Sequence, residues 1–127
     1  MAISETPTAK AQPPGINDRR VIDAGLIQHV TDTIVEQFNP RRIILFGSQA
    51  RGDAGPDSDL DLFVEMDTTL RSPQRTIAIG SIFGLHNWSM DVVVYTPEEV
   101  ERRRRVKWSL VNTIEDEGKV LYERPRG

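Results

Sequence analysis

The stretch from Ile43 to Glu65 reads IILFGSQARGDAGPDSDLDLFVE, and it constrains the fold more than any other part of the chain. Ile43 to Phe46 is a short, apolar, partly β-branched run, the pattern of a buried strand. Gly47-Ser48 turns the chain, and Ser48 is expected to cap a short helix that begins at Gln49. A helix start offers unpaired N–H groups and the positive end of the dipole, which suits a phosphate group. A second apolar strand then opens on Asp59-Leu60-Asp61. Because side chains alternate along a strand, Asp59 and Asp61 share one face and Leu60 and Leu62 the other. Two carboxylates on one face beside a phosphate-binding turn suit a divalent metal ion and a nucleotide.

A lone Asp-x-Asp is common surface decoration; the whole arrangement is much rarer. Gly47-Ser48, ten intervening residues and then Asp59-x-Asp61 resemble the signature of the DNA polymerase β-like nucleotidyltransferase superfamily. Ala50-Arg51-Gly52-Asp53 and Pro56-Asp57-Ser58 are similar to its minimal nucleotidyltransferase branch, the MntA-like antitoxins, and more distantly to kanamycin nucleotidyltransferases. The resemblance runs from about Ile22 to Glu123. It implies an α/β (α+β) polymerase β-like fold, a small mixed sheet with flanking helices.

The chain has 127 residues, enough for one domain with one core. No run approaches the roughly 20 apolar residues of a membrane span. The first residues lack the basic and apolar regions of a secretory signal. Cysteine is absent, which excludes thiolate metal sites and suits the cytoplasm. A net charge of −3 disfavours general nucleic-acid binding. Residues 1–16, rich in proline and poor in apolar side chains, read as a disordered tail; residues 17–127 read as a single nucleotidyltransferase domain.

Ile22, Leu26, Val30, Ile34 and Phe38 recur every four residues, so a helix is expected from about Asn17 or Asp18 to Asn39-Pro40, with His29 on its surface. Strands are expected at Arg42 to Phe46, Leu60 to Met66, Met90 to Tyr95 and Lys119 to Glu123. Ser72-Pro73 reads as a helix cap followed by proline, with Ile77, Ile79, Ile82 and Phe83 as that helix's apolar contacts. Thr96-Pro97-Glu98-Glu99 combines a capping box with proline at the first helical position. Glu98, Glu99 and Glu101 each stand four residues before an arginine (Arg102, Arg103 and Arg105), so the run Arg102 to Arg105 reads chiefly as solvated helix surface. The other reading is a docking patch for an acidic partner or RNA. Trp108, Leu110, Val111 and Ile114 supply an apolar face to the last helix; Trp88 and Trp108 read as core or interface residues.

Asp91 interrupts the apolar run MDVVVY, and an unpaired buried charge is costly. It is either an exposed acid at a sheet edge or a partner of Asp59 and Asp61 on a neighbouring strand. The superfamily resemblance implies the latter. Glu65 and Asp67 compete for the role, but Glu65 lies roughly 13–20 Å along the strand at ordinary rise. The resemblance then assigns Asp59, Asp61 and Asp91 as catalytic metal ligands, for two Mg²⁺ ions, with Gly47 and Ser48 on the phosphates of the nucleotide. Arg51 either adds charge near the phosphates or braces its loop. Ser58 is expected to fix the geometry of Asp59.

The resemblance further implies transfer of AMP from ATP to a hydroxyl, with a tyrosine of a cognate HEPN-domain toxin as acceptor and a type VII-like antitoxin role. Two alternatives remain: a non-catalytic antitoxin that neutralises its toxin by contact, and a nucleotidyltransferase acting on a small molecule such as an aminoglycoside.

Overall fold

The computed structural model describes residues 22–55 and 58–125. The tail read at residues 1–16 and the helix start read at residues 17–18 lie outside them. The first helix, α1, spans Ala24–Phe38, and Asp23 caps it by accepting the Leu26 N–H at 2.8 Å. Ile22 therefore precedes the helix, though it packs against the same core as Leu26, Val30 and Ile34. The C-terminal end falls as the Asn39-Pro40 pair requires: Asn39 takes the left-handed conformation and its N–H closes on the Val35 carbonyl.

Strand β1 (Arg42–Phe46), the short helix α2 (Ser48–Arg51) and β2 (Leu60–Glu65) follow. Helix α3 (Ser72–Ser81) leads to β3 (Met90–Tyr95), and α4 (Pro97–Arg104) and α5 (Leu110–Glu117) lead to β4 (Lys119–Glu123). The four strands form one mixed sheet in the order β3-β2-β1-β4. β1 runs antiparallel to β2 and to β4, whereas β2 and β3 are parallel. The parallel pair demands a crossover, and α3 supplies it.

Alternation along the strands divides the core into two layers. Ile43, Leu45, Leu60, Leu62, Val64, Val92 and Val94 face α1 and α3, burying Leu26, Val30, Ile34 and Ile79. On the opposite face Ile44 and Phe63 pack against Val100 of α4 and Val111 and Ile114 of α5, with Phe46, Val93 and Tyr95 at the margin. Gly118 is required where α5 joins β4. A Cβ there would overlap the Ile44 side chain and lie 2.6 Å from the Ile114 carbonyl and 2.9 Å from that of Leu45.

Several side chains depart from the sequence reading. Arg75 is buried and braces α3 against the sheet edge, donating to the carbonyls of Leu70 at 2.8 Å and Val94 at 3.3 Å and to Glu99 at 2.7 Å. Glu99 thus turns inward and is not available to Arg103, while Glu101 pairs with Arg104 three residues on, not with Arg105. Ser72 and Ser48 are each the first residue of their helices instead of the cap. Ile77 is exposed, since Arg75 and Ile79 take the buried side of α3. His29 is half-buried with its ring edge-on to Phe83. Trp88 is core, but Trp108 is exposed and lies outside α5.

Candidate functional site

The acids converge because β2 and β3 are parallel and in register: Asp61 sits opposite Asp91. On its other side Asp61 pairs with Phe46, the last residue of β1, so the Gly47 turn arrives beside it. Asp61 and Asp91 share the face that carries Phe63 and Val93, at the end of the sheet where β1 stops and β2 and β3 begin. Asp91 is exposed on an edge strand, which is how it tolerates its place in an apolar run; burial was the wrong premise there. It is nevertheless the register neighbour of Asp61 on the adjoining strand.

Electrostatics reports the same clustering. The Asp61 carboxyl is pushed above the usual carboxylate range, first by burial and then by the negative charges of Asp91 and Asp59. Arg51 acts in the opposite direction. The donors suit a hard cation in kind, being oxygen throughout with no cysteine in the chain. As the side chains stand, no group of three or more acids or histidines among the described residues is drawn together enough to hold a metal ion.

Gly47 fits this site for a second reason besides the turn. Its φ of 73° and ψ of −156° fall in a region that only glycine enters readily. A Cβ on Gly47 would overlap a carboxylate oxygen of Asp61 and lie 3.1 Å from its Cγ. The missing side chain is what allows the turn and the acid to touch. That contact was not legible in the sequence, which gave Gly47 a turn and, through the resemblance, a role toward phosphate. Its carbonyl accepts the N–H groups of Ala50 and Arg51 at 3.1 Å, starting α2. No side chain caps that helix, so Ser48 keeps a half-buried hydroxyl in its first turn.

Arg51 pairs with Asp53 at 3.2 Å, both exposed, so it braces its loop while its charge still acts on Asp61. The Ser58 hydroxyl accepts the Gly55 N–H at 2.8 Å, and the Ser58 N–H donates to the Gly55 carbonyl. Ser58 therefore ties the loop that enters β2, one residue before Asp59. Glu65 and Asp67 are removed from contention. Glu65 pairs with Arg42 and Asp67 with Arg41, at the opposite end of β2. A cavity of about 620 Å³ lies at that opposite end, lined by Arg41, Arg42, Glu65, Arg104, Glu123 and Arg124. Its arginines are already bonded: Arg41, Arg42 and Arg104 to carboxylates, Arg124 to the Asn39 and Pro40 carbonyls.

A glycine turn against a strand acid, with further acids before it and on the adjoining parallel strand, defines the nucleotidyltransferase class. The family model described as "Nucleotidyltransferase domain" matches residues 28–121, and the chain belongs to that family, as a minimal nucleotidyltransferase of the DNA polymerase β-like superfamily. Two relatives from Methanocaldococcus jannaschii are similar. "Putative protein adenylyltransferase MJ0141" is 33% identical over 79 residues, 61% of this chain and 74% of the relative. "Putative protein adenylyltransferase MJ0604" is 30% identical over 82 residues, 65% of this chain and 78% of the relative. A solved structure of a "putative nucleotidyltransferase" from Sulfolobus solfataricus shares the fold, with a TM-score of 0.56 at 20% identity over 81% of this chain and 82% of that one. Among the described residues no helix is long and apolar enough to cross a membrane.

Proposed function

We propose that this nucleotidyltransferase transfers AMP from ATP to a protein hydroxyl, with Mg²⁺ held by Asp59, Asp61 and Asp91. The observation that carries the reading is the meeting of three features at one sheet end: the Gly47 turn against Asp61 and, in register with it on the next strand, Asp91. The names of the two archaeal relatives support adenylyl transfer to protein. When bound, magnesium would supply positive charge to the phosphate oxygens and acidify the acceptor hydroxyl.

The remaining chemistry belongs to the chain. The first turn of α2, with the Ser48 hydroxyl, binds the β- and γ-phosphates, while Arg51 adds charge at their edge. Asp91 accepts the proton of the acceptor hydroxyl. The acceptor oxygen forms a bond to the α-phosphorus, and the bond between that phosphorus and the bridging oxygen breaks. Pyrophosphate leaves with the electron pair. Ser58 holds the loop before Asp59, which keeps that carboxylate on the same side as Asp61.

The resemblance to MntA-like antitoxins supports a tyrosine of a cognate HEPN-domain toxin as the acceptor, and hence an antitoxin role in the cytoplasm. Co-expression with the protein of the neighbouring open reading frame, followed by intact mass, tests this. An increment of one AMP on a tyrosine, absent with Asp59→Asn, is the expected result. A partner that stays unmodified yet is still neutralised by Asp59→Asn would favour inhibition by contact, and transfer to an aminoglycoside would refute a protein acceptor.

A further inference from the structure

We propose that the turn between α4 and α5 is a docking site for an acidic segment of a partner protein, anchored on Trp108. Trp108 has a φ of 70° and 86% of its surface exposed. Neither feature helps folding: glycine would hold that conformation without strain, and an indole left in water adds almost no burial to the folded state. A tryptophan at this position contributes almost nothing to the core, so its use lies outside the fold.

The turn is not loose. The Asn112 side-chain amide donates to the carbonyls of Arg104 at 3.1 Å and Val106 at 2.9 Å, gripping the turn from α5. The Val106 N–H closes on Arg103 and the Ser109 N–H on Val106, both at 3.1 Å. Ser109 then caps α5 by accepting the Asn112 N–H. The indole is therefore presented from a braced backbone, which lowers the ordering cost of binding. Exposed Val106 and Leu110 flank it.

Charge selects the occupant. Arg102, Arg105 and Lys107 are exposed, and among the described residues none of them forms an ion pair; Lys107 lies over the Trp108 ring at 5.4 Å. Arg103 of α4 sits over the ring of Tyr95, at the end of β3, at 4.5 Å. Arg41, Arg42, Arg51, Arg75 and Arg104 are, by contrast, paired with carboxylates. A local cationic patch with an aromatic anchor, on a chain of net charge −3, fits carboxylates accompanied by apolar side chains. Polynucleotide draws its affinity from many phosphate contacts, and it offers no match to Val106 and Leu110.

This inference deepens the reading of a protein acceptor, and rests on it for the partner's role, but its test reads binding alone and needs no ATP. The probe is a fluorescently labelled random copolymer of glutamate and tyrosine, titrated by anisotropy, with labelled poly-uridylate as the comparison. The wild type binds the copolymer more tightly than the RNA. Trp108→Gly and the double variant Arg102→Glu, Arg105→Glu each weaken that binding at least tenfold, whereas Asp59→Asn leaves it unchanged. The melting temperature of Trp108→Gly stays level or rises, which separates docking from folding. Retained docking with no AMP transfer would count against the transfer reading and leave the surface standing. Absent binding, equal affinity of wild type and both surface variants, or tighter binding of poly-uridylate would each overturn the proposal.

Discussion

Replacing Gly47 by alanine tests whether the turn and the acid form one unit. Two costs follow from the geometry. At φ 73° and ψ −156° a residue with a Cβ is strained by about 1–3 kcal/mol. The new methyl also overlaps the Asp61 carboxylate, with the Asp61 Cγ at 3.1 Å and Cβ at 3.3 Å. Asp61 has a paired strand on each side, opposite Phe46 and Asp91, so its backbone is held and its carboxyl must turn away. An off-rotamer side chain costs about 0.5–1.5 kcal/mol. Together these give about 2–4 kcal/mol, or a fall in melting temperature of roughly 10 °C for a chain of this size. Below the melting transition, AMP transfer should fall about a hundredfold, the effect expected of a misplaced catalytic group. Gly52→Ala is the matched control. Gly52 also has positive φ, 83°, but a Cβ there meets nothing within 4 Å. It should lose about 1 kcal/mol and keep its turnover. Thermal melts and single-turnover transfer on both variants decide the matter. Wild-type turnover in Gly47→Ala, or equal losses in the two variants, would refute the reasoning.

Gly118→Ala should destabilise by about 2–4 kcal/mol, because its Cβ meets two carbonyls and the Ile44 side chain; chemical denaturation measures this, and nucleotide affinity should change little in the folded protein. Glu99 has its pKa held below the usual range, chiefly by its hydrogen bond to Arg75. Its stabilisation is present above the unfolded value, about 4.3, and is lost as the pH falls through the lower folded value. Glu99→Gln should therefore flatten the acid limb of a stability–pH curve, and Glu99→Ala, which strands buried Arg75, should cost about 2–4 kcal/mol at neutral pH. The raised pKa of Asp61 works the other way: its charged form is disfavoured in the fold, so stability falls as the pH rises through the unfolded and then the folded value. Asp61→Asn should melt above wild type in EDTA, and the order should narrow or reverse at saturating Mg²⁺, read by scanning calorimetry.

The strands were legible because alternation and short apolar runs leave few other structures open to Arg42–Phe46, Leu60–Glu65 and Met90–Tyr95. Asp59 and Asp61 stood out for the same reason, as charges at fixed spacing on an otherwise apolar run. Asp91 was harder. Its place beside Asp61 depends on parallel register, which follows from the α3 crossover and is not written at either residue. Arg75 was missed because a lone cation on a helix normally faces water; its burial is set by the carbonyls of Leu70 and of Val94 in β3 and by Glu99 on the next helix. The pairing of Glu99 and Glu101 was misread likewise, since local i,i+4 spacing cannot anticipate a partner on another element. Trp108 carried an apolar signal but not its conformation, which the Asn112 bonds to the turn impose.

In the proposed mechanism Asp91 acts in transfer alongside Asp59 and Asp61, so Asp91→Asn is the most direct test. Nucleotide affinity and the single-turnover rate of AMP transfer are determined separately for the variant in the presence of Mg²⁺. The prediction is affinity within about threefold of wild type and a transfer rate reduced by at least a hundredfold, on the order expected for loss of a proton acceptor. Full transfer by Asp91→Asn would contradict the account and leave Asp59 and Asp61 without the third acid.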